Sequence, residues 1–68
     1  MKLSARNQLS GIVTAINEGA AIANVEIDVN GQRIVASITV EAARDLGLAE
    51  GKAVKAIVKA SDVILATD

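Results

Sequence analysis

The sequence predicts a mainly β fold with one short helix set between the third and fourth of five strands. Three observations carry this. Residues 23–29 alternate apolar and polar side chains without a break, Asn30-Gly31 supplies a tight hairpin, and the spacing turns helical after Ile38.

Leu9 to Asn17 (LSGIVTAIN) is rich in β-branched residues and ends in the turn signal Asn17-Glu18-Gly19. Ala21 to Val29 is the second strand. From position 23 its Ala23, Val25, Ile27 and Val29 fall on one face and Asn24, Glu26 and Asp28 on the other, the period-two pattern of a half-buried strand. Asn30 and Gly31 both tolerate the positive φ of a type I′ turn, so Gln32 to Ile38 returns as the third strand. Thr39 to Gly47 then reads as a helix. Thr39 is its N-cap, Glu41 suits the positive end of its dipole, and Gly47 supplies a left-handed C′ residue. Val40, Ala43 and Leu46 form one apolar stripe toward the sheet. After Gly51, Ala53 to Lys59 (AVKAIVK) is the fourth strand, with Lys55 and Lys59 on a face with Ile57. Val63 to Ala66 (VILA) is the fifth. This order is what a five-stranded OB-type barrel requires, and closure would remove exposed sheet edges. An open α+β sheet built from the same elements is the alternative.

With 68 residues the chain has room for one domain, 1–68. A chain of this size buries roughly 60% of the surface its unfolded form exposes, which leaves it marginal alone. Small domains recover stability through disulfides, a metal or association. There is no Cys and no His, which removes disulfides, thiolate and imidazole metal sites, and Cys or His nucleophiles. Half of the residues are apolar, none is aromatic, and the mean hydropathy is +0.42. A core of Val, Ile, Leu and Ala in so short a chain points to association with copies of itself.

The net charge is −1. Nucleic-acid binding rests on neutralising several phosphates and, for single strands, on aromatic platforms, so no nucleic-acid partner is expected. No apolar run approaches the ~20 residues of a membrane helix. No basic segment followed by an apolar one opens the chain, and a cytoplasmic location without membrane association is expected.

Catalytic motifs are missing. Gly47-Leu48-Ala49-Glu50-Gly51-Lys52-Ala53 resembles a P-loop, but has one residue too few between its glycines and Ala in place of the Mg²⁺-binding hydroxyl. It reads as a helix stop plus a turn. Asp45 and Glu50 read as a solvated helix end. No hydroxyl has a His base or a Ser-x-x-Lys partner, and the chain is not expected to be an enzyme.

What remains is a set of donors near strand ends. Ser4, Arg6, Asn7 and Gln8 precede strand one, Ser37 and Thr39 end strand three, and Lys59, Ala60, Ser61 and Asp62 lie between the last two strands. Taken singly, such residues are usually solvated or capping. Together, guanidinium, ammonium, hydroxyls and turn N–H groups suit an oxyanion.

Ser4-Ala5-Arg6-Asn7-Gln8, followed by a Gly in strand one, and Lys59-Ala60-Ser61-Asp62-Val63 resemble the molbindins, small molybdate-binding proteins, and the related domains of molybdate transporter ATPases and molybdate-responsive regulators. The likeness spans the chain, taking in Asn30-Gly31, Ser37-Ile38-Thr39, Leu46-Gly47-Leu48 and Glu50-Gly51. It implies an OB-type fold, a homohexamer arranged as a trimer of dimers, and molybdate or tungstate held at subunit interfaces, with no organic cofactor and no direct side-chain ligand to metal. Matching positions are Ser4, Ala5, Arg6 and Asn7 from one subunit, with Ser37 or Thr39, Lys59, Ala60 and Ser61 completing the pocket from another. Many relatives carry a hydroxyl where this chain has Ala60, which leaves only a backbone N–H there. Family hexamers have a second kind of site near the three-fold axis, whose residues are not assigned. The implied role is intracellular molybdenum storage or homeostasis. The competing reading is a structural or regulatory oligomerisation module without ligand. A phosphate buffer is disfavoured, because cellular phosphate would saturate it.

Overall fold

Twelve residues of strand, Asn7–Glu18 (β1), form the spine of the computed structural model, which describes residues 1–68. Ile22–Val29 (β2) and Gln32–Thr39 (β3) follow, then the helix Val40–Asp45 (α1) and the strand Ala53–Val58 (β4). The first half of β1 pairs antiparallel with β4, from Asn7 opposite Val58 to Ile12 opposite Ala53. The second half pairs antiparallel with β2, from Ile12 opposite Asp28 to Glu18 opposite Ala23. β3 pairs with β2 along its whole length, giving the order β3-β2-β1-β4.

A bulge in β1 lets one strand serve both partners. Val13 faces Ile27 and Ala15 faces Glu26, leaving Thr14 unpaired between them. Its hydroxyl donates to the Glu26 carbonyl at 3.2 Å. The extra residue flips the inward parity, so that Val13 and Ile16 both reach the core. Gly11 answers a second demand. A Cβ there would lie 2.5 Å from Ile27 Cγ2 and 2.7 Å from the Asp28 carbonyl oxygen, so only glycine permits this approach of β1 to β2.

Local signals hold where they depend on near neighbours. Asn30 and Gly31 take φ values of 50° and 86° in the β2–β3 turn. The Thr39 hydroxyl accepts the Ala42 N–H at 3.0 Å, capping α1. At its other end, Gly47 N–H donates to Arg44 O and Leu48 N–H to Ala43 O, a Schellman motif around left-handed Gly47. That turn redirects the expected apolar stripe. Leu46, the C-cap, is exposed, and Leu48 packs in its place against Ala43 and Val40. The P-loop-like stretch resolves as a stop and a turn, with the Lys52 ammonium donating to the Leu46 and Gly47 carbonyls at 2.5 and 3.2 Å.

The expected five-stranded barrel is corrected by the sheet. It has four strands and stays open, with β3 and β4 as its edges. After Lys59 the chain makes a 3-10 turn, Ala60–Asp62, instead of a reversal along β4. Val63–Ala66 therefore joins no ladder, and Ile64 and Leu65 are 92% and 88% exposed. The remaining core is small. Val13, Val25 and Ile27 form one cluster, and Ala23, Val40 and Ala43 a second under the helix. No helix is long and apolar enough to cross a membrane.

Candidate functional site

The β1–β4 ladder decides which of the sequence-selected residues meet. It ends with Asn7 opposite Val58, so residues 4–6 and 59–61 leave the sheet from the same end of the same chain. The expectation that these two segments come from different subunits is not needed to bring them together. Ser4 sits in a bend and is exposed, Ala5 and Asn7 are half-buried, and Arg6 is exposed. Lys59 enters the 3-10 turn with extended backbone and no side-chain cap; it, Ala60 and Ser61 are exposed.

Arg6 and Lys59 form no ion pair, although the Asp62 carboxylate lies in the turn that Lys59 enters. The two ion pairs are Arg33 with Glu26 and Arg44 with Glu18, and Lys52 is occupied at the helix end. Arg6 and Lys59 follow each other off adjacent strands. A dianion held between them would pair with both.

Ser37 and Thr39 do not join them. Ser37 is level with Asn24, and Asn24 with Asn17, ten residues along β1 from Asn7. That is roughly 30 Å of strand at ~3.3 Å per residue. Thr39 caps α1 by accepting the Ala42 N–H, which leaves its own O–H free to donate. It lines a depression with Glu41, Arg44 and Asp45, where two carboxylates oppose an anion. Arg6 and Ser37 stand well apart along the sheet of one chain.

Nothing in this donor set is a nucleophile with a base, and no group of His, Cys, Asp or Glu side chains converges to hold a metal cation. Its chemistry is that of hydrogen-bond and charge donation to an oxyanion.

One feature escaped the sequence reading. A groove of about 370 Å³ runs between the free edges of β3 and β4, lined by apolar side chains save Lys55, among them Ile34, Ala36, Leu48, Val54 and Ala56. The high apolar fraction without aromatics was its one trace in the sequence.

The TOBE domain family matches residues 3–65. A probable molybdenum-pterin-binding protein of Haemophilus influenzae is 41% identical over 69 aligned positions, covering 100% of both chains. The molybdenum transport protein ModE of Herbaspirillum seropedicae is 44% identical across 100% of this chain, but the chain spans only 26% of that protein's length. Among solved structures, a molybdate-binding protein from Sporomusa ovata superposes with a TM-score of 0.95 at 37% identity, covering 98% of this chain and 100% of the other.

Proposed function

The chain belongs to the TOBE domain family as a protein of the molbindin type, and from that premise we propose that it binds molybdate, and also tungstate, as intact oxyanions. The observation that carries the reading is the register of Asn7 against Val58, which delivers two unpaired cations, Arg6 and Lys59, to one end of the sheet. Ser4 and Ser61 add hydroxyls, Asn7 an amide, and Ala5 and Ala60 only backbone N–H groups. Ser37, from a second copy, is a better completing donor than Thr39, which lines a depression with the Glu41 and Asp45 carboxylates.

The ligand sets the energetics. Molybdate is a tetrahedral dianion with no proton at neutral pH. Charge-assisted hydrogen bonds contribute about 1.5–3 kcal/mol each, and micromolar affinity needs about −8 kcal/mol, so roughly three to six suffice. Tungstate has the same charge and shape. Sulfate is smaller, and a rigid pocket discriminates by size.

Association belongs to the same reading. Val63, Ile64 and Leu65 stand in solvent while the β3–β4 groove is uncovered. Full burial stabilises such a side chain by about 1.5–3 kcal/mol. The tail of one copy in the groove of another covers both and supplies the missing fifth strand. A homohexamer built as a trimer of such dimers, holding molybdate in the cytoplasm as a store, is the assembly we propose.

Calorimetric titration with molybdate, tungstate and sulfate tests the binding. Saturable heat with the two heavier anions is expected. Silence with both at protein concentrations well above micromolar would leave the oligomerisation module as the surviving reading.

A further inference from the structure

The turn Ala60–Asp62 joins the oxyanion donors to the apolar tail. Lys59 and Ser61 lie in or beside it, and Val63, where the tail starts, is its C-cap. Two backbone bonds hold it, Asp62 N–H to Lys59 O at 2.9 Å and Val63 N–H to Ala60 O at 3.3 Å, and none of its residues is buried. It is short, exposed and without a side-chain cap, yet it sets where the tail goes. A tail folded back along its own β4 and a tail lent to a second copy would fill the same kind of groove. The two arrangements differ chiefly in the dihedral angles of this turn.

Resting on the oxyanion reading above, we propose that Lys59–Asp62 is an anion-controlled hinge. Molybdate held between Lys59 and Ser61 on the hinge and Arg6 and Asn7 on the neighbouring strand end fixes the turn in the geometry that sends Val63–Leu65 to a second copy. The sign of the effect follows from charge. Without the dianion neither Arg6 nor Lys59 has an ion-pair partner, and the exposed turn is free to reorganise. With it, the two ends are drawn together, and the anion must leave before the tail can. Occupancy of the site then governs how fast copies of the chain change partners. A ligand that binds only the locked state slows release by the factor 1 + [L]/Kd, which is on the order of 100-fold per site at 100 times Kd.

The test mixes unlabelled and isotope-labelled full-length protein and follows mixed oligomers by native mass spectrometry. It compares sodium molybdate at 100 times the calorimetric Kd with sodium chloride of equal ionic strength. Mixing slowed by on the order of 100-fold with molybdate is expected, as is loss of that slowing in Lys59→Ala at the same molybdate concentration. Equal mixing rates at calorimetric saturation would overturn the hinge and leave oxyanion binding standing. Absence of calorimetric heat would overturn the binding reading itself, and the hinge with it. A chain that stays monomeric throughout, or a Lys59→Ala variant slowed as strongly as the parent, also overturns the hinge.

Discussion

Asn7 lies directly opposite Val58 at the last rung of the β1–β4 ladder. That single pairing turns two motifs 52 residues apart, Arg6-Asn7 and Lys59-Ala60-Ser61, into neighbours at one end of a sheet. Both cations leave the ladder without an acidic partner. The proposed oxyanion site rests on that arrangement more than on any one side chain.

Arg6→Ala is expected to weaken molybdate binding by about 10- to 150-fold, the equivalent of the ~1.5–3 kcal/mol of one charge-assisted donor. Arg33→Ala is the control. It removes the Glu26 ion pair from an exposed side chain, where such pairs contribute ~0–1 kcal/mol, and its affinity should match the parent's. Calorimetry on both variants decides; equal losses would mean that the site lies elsewhere.

Gly11→Ala is expected to destabilise the fold by about 1–3 kcal/mol, the usual range for overpacking. The added methyl meets the Asp28 carbonyl oxygen at 2.7 Å and Ile27 Cγ2 at 2.5 Å, and a strand backbone cannot step aside as a long side chain can. Urea unfolding monitored by far-ultraviolet circular dichroism gives the difference. An unchanged midpoint would show that β1 and β2 are less closely apposed than described.

Thr39 separates a structural role from a binding one. Thr39→Ala removes the cap of α1 and should cost about 1 kcal/mol of stability, whereas Thr39→Ser keeps the cap. Molybdate affinity should hold in folded Thr39→Ala and fall in Ser37→Ala. The reverse pattern would make Thr39 the completing donor.

Much of this fold was legible because the signals were local. The alternation of residues 23–29, the Asn30-Gly31 turn and the Thr39 cap each depend on residues within a few positions, and each stands where expected. The failures involve partners distant in sequence or outside the chain. Leu46 was misplaced because left-handed Gly47 brings Leu48 to the core instead. The Thr14 bulge follows from β1 serving two strands, which no local pattern encodes. Val63–Ala66 has the composition of a strand but no ladder to join in its own chain. The donor motifs were visible; that Ser37 and Arg6 stand at opposite ends of β1 was not, because register is a property of the assembled sheet.

Ile64→Asp tests the tail. A carboxylate at a side chain 92% exposed in the single chain should leave the monomer fold intact. Burying it in a partner's groove is costly, so the oligomer should dissociate on size-exclusion chromatography with light scattering. An assembly of unchanged mass would mean that the groove is filled by something else.

Anomalous diffraction at the molybdenum edge, from crystals grown with molybdate, locates the bound anion itself. A peak is expected within hydrogen-bond reach of Arg6 and Lys59 at a contact between two copies of the chain. A molybdenum position remote from both residues, or one enclosed by a single copy, would contradict it.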